Sequence, residues 1–339
     1  MKQVTYRGPE QITVDEWISP ELPANYVAVK VAYVGVCGTD LHLYAGHMDS
    51  RVTTPHVPGH EMSGVVARIG SGVNEWKLGE KVTVRPLLPC KNCRTCNEGN
   101  SHIYPKLKFI GVDLGGAMQP EWIVPAELLH RIPEQITLRQ GALIEPLAVA
   151  IHDVRMADLD PTDVITIVGA GPIGLLIGIV CVSRGHKTFI TDIDQTRLDV
   201  AKSHGMIPVA PDKVEAAARE ATNGLGTDVV FEVSGSAGGA TLISTIVKPR
   251  GKIIVVGIHA ELRQFNLQQI FHKEVTMQGA RVYKSIDFDD AISFLSTRTT
   301  ELEPLITKVF PIEDALEAYL SLTRGGSIKN LIAISEPAI

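Results

Sequence analysis

Residues able to do chemistry gather at a few places in the sequence. "VGVCGTDLHLYAGH" supplies Cys37, Thr39, Asp40 and His42, and "VPGHEMSGVVARIGSGV" supplies the neighbours His60 and Glu61. "GALIEPLAVAIH" sets Glu145 in an otherwise apolar stretch, where full exposure would be awkward. Singly, such a cysteine reads as a small core residue and such a histidine as a hydrogen-bonded one. Together they form a candidate metal constellation. A second group, "CKNCRTCNEGNSHIYPKL", separates Cys90, Cys93 and Cys96 by two residues each, the spacing of a knuckle that presents thiolates to one tetrahedral metal. A closed structural zinc site takes four ligands, and the fourth is not obvious here.

A third group is a phosphate cradle. "DVITIVGAGPIGLL" carries Gly169, Gly171 and Gly174 in G-x-G-x-x-G order, after an apolar β-branched strand and at the start of a helical pattern. Gly169 permits the tight turn, Gly171 lets the backbone approach a pyrophosphate, and Gly174 allows close helix–strand packing. The helix beginning at Pro172 and Ile173 offers free N–H groups and a positive dipole end to the phosphates. "KTFITDID" ends near Asp192, about 20 residues on, where a carboxylate can hold both ribose hydroxyls. That charge repels a 2′-phosphate and favours NAD over NADP. Arg197 either flanks the adenine or weakens the exclusion. The alternative is a glycine-rich turn that binds nothing.

These groups need two kinds of scaffold. Up to about residue 150, short β-branched runs such as "YVAVKVAYVGVCG", "EMSGVVARIG" and "EKVTVRP" are divided by Gly and Pro, which predicts strands. From about residue 151, apolar strands such as "DVITIVGAG" and "GKIIVVGI" alternate with helical stretches, which predicts a parallel sheet with crossover helices. "FDDAISFLSTR", "PIEDALEAYLSLTR" and "KNLIAIS" read as two helices and a strand, a tail too short to fold alone that should return to the first domain. Cys181, inside the apolar helix after the glycine loop, reads as core.

Composition narrows the function. With 339 residues, 45% of them hydrophobic and 21% charged, the chain can bury two cores. A formal net charge of −6 and the lack of any basic cluster argue against nucleic acid as a partner. The most apolar segment, "VITIVGAGPIGLLIGIVCVSRG", is broken by glycines and a proline, so no membrane span is expected. The N-terminus lacks the apolar run of a signal peptide, and five cysteines point to metal rather than disulfides. A soluble cytoplasmic protein is the expectation.

"GHEMSGVVARIGSGV" fits the zinc-containing alcohol dehydrogenase signature: G-H-E-x-x-G, five residues, G, two residues, then a small apolar residue. With "CGTD" before it and "EPLAV" ahead of the nucleotide fold, the chain resembles a zinc-dependent medium-chain dehydrogenase/reductase over essentially its whole length. "GALIEPLAV" and "FHKEVTMQGARV" place it in style nearest the polyol branch of sorbitol dehydrogenase, close to threonine and sugar-acid dehydrogenases. The resemblance implies an α/β fold: a GroES-like β-rich catalytic domain over 1–150 and 287–339, and a Rossmann doubly wound parallel sheet over 151–286. It implies an active site in the cleft between them and a homo-oligomer, dimer or tetramer. A homotetramer is the form expected here.

By the same resemblance Cys37 and His60 ligate a catalytic zinc. Glu61 is then a third ligand or a near neighbour, and Glu145 a ligand directly or through a bound water. A thiolate, an imidazole and carboxylates suit Zn²⁺ with one exchangeable position. Zinc acidifies a substrate hydroxyl, hydride passes to NAD, Thr39 accepts the proton and His42 is its expected exit. Asp40 anchors the zinc shell. Gly257 and Ile258 line the nicotinamide side, and Arg281 lies near cofactor and substrate. Val282 and Leu43 stand where sorbitol dehydrogenases have tyrosines, the latter substrate-facing, which puts sorbitol itself in doubt. The expected reaction is oxidation of a secondary hydroxyl on a polyol, sugar or sugar acid. Alternatives are oxidation of a β-hydroxy amino acid such as threonine, and a catalytically silent relative.

Family members that carry a structural zinc use C-x2-C-x2-C-x7-C, and here Tyr104 occupies the last place. Three readings stay open: a three-cysteine site completed by His102, Glu98 or water, a lobe that has lost its metal, and redox cysteines.

Overall fold

The β-branched runs become strands whose side chains stack into two separate cores. In the computed structural model, which describes residues 1–335, the chain divides into two compact units, residues 1–145 with 284–339 and residues 146–283.

The spine of the first unit is the strand Tyr26–Val36, buried along almost its whole length. It pairs antiparallel with Glu61–Ile69, with Glu121–Pro125 and with Lys329–Ala333. Lys81–Val84 and Leu129–Arg131 extend the sheet on one side, and Ile306–Pro311 closes it on the other. The C-terminal tail thus forms the helices Ser285–Ser296 and Ala315–Thr323 and then adds a strand beside the spine.

Register at one end of this sheet builds the site. Gly35 faces Glu61 and Val36 faces Asn330 across the ladders, so Cys37, Glu61 and Lys329 meet where three adjacent strands begin or end. A Cβ at Gly35 would lie 2.2 Å from Glu61 Oε2. Only glycine leaves room for that carboxylate to lie across the strand.

In the second unit six strands are all parallel, in the spatial order Ile207–Pro208, Thr188–Thr191, Ile165–Val168, Thr227–Glu232, Val247–Val255, Thr276–Gly279. Chain order reverses between Ile165–Val168 and Thr227–Glu232, the switch point outside whose carboxyl ends nucleotides bind in doubly wound sheets. Pro172–Ser183 follows the first strand as a wholly apolar helix; Cys181 is buried within it and burial pushes its thiol up to about 12. No helix among the described residues is long and apolar enough to cross a membrane.

Helix and strand approach so closely at Gly174 that a Cβ there would sit 1.9 Å from Gly169 O. Gly174→Ala should therefore cost about 2 kcal/mol or more and lower the Tm by roughly 5 °C. An unchanged Tm in a calorimetric scan would contradict this packing.

Candidate active site

Cys37 ends the spine strand and caps the helix Gly38–Tyr44. Its Sγ accepts from Thr39 N at 3.2 Å, and Asp40 Oδ2 accepts from Cys37 N at 3.0 Å, so the C-x-T-D spacing is a reciprocal capping box. His60, just before the strand Glu61–Ile69, brings Nε2 to 3.2 Å from Cys37 Sγ. Phe109 packs edge-on against its ring at 4.8 Å. The ligand atoms of Cys37, His60 and Glu61 all lie within 4.8 Å of one another.

Two tests ask whether this set fits zinc. The first is spacing. Zinc bonds of about 2.3 Å to sulfur and 2.05 Å to nitrogen, at a tetrahedral angle, separate the two donors by about 3.5 Å, close to the distance seen. The second is charge. Burial, then the charges of Asp40 and Glu61, push the Cys37 thiol well above its usual value, against the opposing pull of Lys329. A thiol so placed would release its proton to solvent only as a strong cation took the sulfur, since metal binding is coupled to that deprotonation. The residues fit a divalent ion.

Lys329 is the partner that sequence reading missed. Its Nζ donates to both oxygens of Glu61, at 2.8 and 2.6 Å, and to Val36 O at 3.3 Å, and all three groups are buried. Burial alone would lower the lysine's pKa, but the charges of Glu61, Cys37 and Glu145 reverse the shift and raise it. Both Glu61 oxygens are thus engaged by an ammonium. Glu145 is buried in the first turn of the helix Ile144–Ala157, near Lys329 and outside the three-residue cluster.

Thr39 is half-buried on the first turn of the capped helix. His42, a turn on, sets its Nδ1 3.2 Å from Nδ1 of His47, an exposed residue past the helix end. Burial, and secondarily His47, hold His42 below its ordinary value. The pair was visible in "HLYAGH", but its second member was passed over. Leu43, which stands where sorbitol dehydrogenases have a tyrosine, is 1% exposed and joins the first unit's core. Helical periodicity decides this, because Asp40 and Leu43 share the helix face that packs inward.

In the nucleotide unit, Gly169 has φ of 108° and a Cβ there would meet Ser234 N at 2.9 Å. Gly171 caps the helix, with Pro172 and Ile173 in its first turn. Asp192 Oδ2 accepts from Ala170 N at 2.6 Å and Oδ1 from Asp194 N at 2.9 Å, so the carboxylate ties the glycine loop to the next helix. Arg197 turns toward Asp194, 3.7 Å away. Across the switch point the buried Glu232 accepts from Ser234, Gly235 and His259, the last at 2.9 Å. Gly257 packs against that carboxylate, and Ile258 is exposed beside it. Sequence reading missed Glu232 and His259, whose spacing carries no motif. Arg281 is exposed, and Val282 after it has φ of 49°, a strained conformation for a β-branched residue.

In the knuckle, Cys96 Sγ lies 3.8 Å from Cys90 Sγ and 3.5 Å from Cys93 Sγ. Backbone N–H of Asn92 leads the groups that draw Cys90 down to about 6. Burial, and then the neighbouring Cys90, push the Tyr104 phenol above its usual value. Among the described residues neither His102 nor Glu98 joins the three sulfurs, and Glu98 instead pairs with Arg94 at 2.7 Å. Completion of the site by either residue is therefore set aside.

Comparison with known proteins places this geometry. Residues 23–134 match the alcohol dehydrogenase GroES-like domain and residues 172–297 the zinc-binding dehydrogenase domain. The chain is 42% identical to the 2-dehydro-3-deoxy-L-galactonate 5-dehydrogenase of Pseudoalteromonas atlantica, over 94% of each protein. The chain belongs to the zinc-binding alcohol dehydrogenase family. Within it, this is a dehydrogenase of the polyol branch. It is 32% identical to the sorbitol dehydrogenase of Halalkalibacterium halodurans over 97% of each chain. The crystal structure of galactitol-1-phosphate dehydrogenase from Escherichia coli is similar with a TM-score of 0.90 and 28% identity, over 98% of this chain and all of that one. Two dehydrogenase domains and enzymatic relatives along the whole chain answer the silent-relative alternative.

The lysine–glutamate pair makes a prediction for the dehydrogenase. Lys329→Met strands a buried carboxylate and should cost about 3–5 kcal/mol. Adding Glu61→Gln should recover much of that loss. Denaturant unfolding of the single and double variants measures both, and a neutral Lys329→Met would refute the pair's role.

Proposed function

We propose that this dehydrogenase oxidises a secondary hydroxyl of a polyol, sugar or sugar acid, using zinc held by Cys37 and His60 and NAD held by the glycine loop. The observation that carries the reading is the 3.2 Å approach of the half-buried Cys37 thiol to the buried His60 Nε2, beside carboxylates that disfavour an unescorted thiolate. Glu145 completes the ligand set directly or through a water. Glu61, held by Lys329, stands beside the set and fixes its charge. Bound zinc supplies the positive charge that acidifies a hydroxyl, and bound NAD is the hydride acceptor.

The chain's own residues then handle the proton. Thr39 takes it from the substrate hydroxyl, and His42 receives it in turn. His47, touching His42, carries it to solvent. The depressed pKa of His42 keeps its imidazole neutral, hence receptive, across the neutral range. Asp192 holds the ribose hydroxyls and selects NAD, while Arg197, engaged by Asp194, leaves that selection intact. Gly171, Pro172, Ile173 and Gly174 receive the phosphates; Gly257, Ile258 and Arg281 contact the nicotinamide half. Relatives named for a sugar acid, for sorbitol and for galactitol phosphate support the substrate class. The exposed edge strand Thr276–Gly279 supports assembly into a dimer or tetramer.

Turnover is read from NADH absorbance against a panel of polyols and sugar acids. Cys37→Ser and His60→Ala should each remove bound zinc and lower kcat/KM about a thousand-fold. Asp192→Ala should narrow the preference for NAD over NADP by about tenfold. Full activity in either zinc-ligand variant would end the proposal.

His47 offers a pH test. Replacing it by Gln removes the lesser of the two depressing influences on His42, so that histidine's pKa moves up toward 6.5. The acidic limb of the oxidation profile should then begin at higher pH, because His42 must be neutral to accept the proton. An unmoved limb would exclude His47 from the relay.

A further inference from the structure

Glu232 ends the strand Thr227–Glu232 and is fully buried, yet among the described residues no lysine or arginine pairs with it. A buried carboxylate without a cation is costly unless hydrogen bonds hold it. Here they do. Oε1 accepts from Ser234 N at 3.1 Å, Ser234 Oγ at 2.6 Å and Gly235 N at 3.1 Å, and Oε2 meets His259 Nε2 at 2.9 Å. The Ser234 hydroxyl accepts in turn from Ser236 N, at the cap of the helix Ala237–Ile246. The donors thus run back to a helix start, whose partial positive charge favours an anion.

His259 decides the sign of the cluster. Its Nδ1 is buried and has no partner. Were the ring protonated, or were Nε2 the acceptor from a protonated Glu232, Nδ1 would be a buried N–H with nothing to receive it. An orphaned acceptor is the commoner and cheaper defect. The hydrogen bonds therefore assign a neutral imidazole with its proton on Nε2, and the cluster keeps the whole charge of one carboxylate.

Topology says what meets that charge. Asp192 follows the strand Thr188–Thr191, on one side of the switch point, and takes the adenosine ribose in the reading given above. A dinucleotide laid across the switch point carries its other half over the carboxyl ends of Thr227–Glu232 and Val247–Val255. Glu232 stands level with Val168 on one neighbouring strand and with Val255 on the other. Gly257, just beyond, packs so closely that a Cβ there would lie 2.7 Å from Glu232 Oε2. The oxidised nicotinamide ring carries one positive charge and the reduced ring none, so a buried anion at this end distinguishes the two.

We infer that Glu232, held as a carboxylate by Ser234, Gly235 and His259, is a specificity-determining residue that shifts relative affinity toward the oxidised cofactor. The inference rests on the assignment of NAD to the glycine loop. As the ring takes up hydride it loses the charge that Glu232 attracts, and the carboxylate's share in holding the cofactor falls away.

Dissociation constants for NAD, NADH and ADP-ribose, measured by titration calorimetry on the full-length zinc-loaded protein, test this. ADP-ribose lacks the nicotinamide and reports on the rest of the cradle. Glu232→Gln should raise the ratio of the NAD constant to the NADH constant about tenfold and leave that of ADP-ribose within about twofold. Glu232→Asp, which disturbs the same hydrogen bonds but keeps the charge, should hold the ratio near the parent's. Should Glu232→Gln fail to fold, His259→Lys sets a cation against the retained carboxylate and should raise the ratio in the same way. An unchanged ratio in whichever of these two variants folds overturns the inference. So does equal weakening of all three ligands, which would make Glu232 a structural residue only, and so does a ratio raised as far by Glu232→Asp as by Glu232→Gln. A parent that bound none of the three would sink the nucleotide reading and this inference with it, whereas binding with an unmoved ratio sinks the inference alone.

Discussion

A buried ammonium gripping a buried carboxylate organises the catalytic half of this enzyme. Lys329 and Glu61 are 268 residues apart in sequence and in contact in space. Taking both charges out of water is costly, and the cost is met only when the pair is well made. The geometry that makes it is the sheet register: the C-terminal strand lies beside the spine, the Glu61 strand lies on the spine's other side, and Gly35 leaves the gap through which the carboxylate passes. Cys37 ends the spine at that point, so the ion pair, the thiol and the imidazole share one small volume. Moving any of the three strands by one residue would disassemble all of them together.

This arrangement also assigns a division of labour among carboxylates. Glu61 has its negative charge answered by lysine, Asp40 spends one oxygen on capping the helix that begins beside Cys37, and Glu145 approaches from a separate helix. One acid sits in an ion pair, one caps the helix beside the cysteine, and one lies near the lysine on its own helix.

Much of this was readable from sequence because it depends on short spacings. C-x-T-D reads as a cysteine followed by a helix start, and G-x-G-x-x-G reads as a loop between strand and helix; local geometry alone fixes both. The partnership of Lys329 with Glu61 has no such signal, since a lysine opening a C-terminal strand looks like any solvated residue until the register is known. Leu43 was placed by the family pattern, while its burial follows from a helix that must bury one face. Glu232 and His259 are joined only by the adjacency of two parallel strands that the chain visits in turn. In the knuckle, only the folded loop shows Glu98 turned aside toward Arg94.

The tether made by Asp192 bears on how the cofactor arrives. One oxygen already holds the glycine loop at Ala170 and the other holds the start of the following helix, so the cradle is rigid before anything occupies it. Ordering entropy is spent in folding, not at encounter, and a preorganised receptor captures its guest with little reorganisation. Each of those oxygens carries one hydrogen bond and keeps a further lone pair, so the tether can stay closed while the carboxylate accepts another donor.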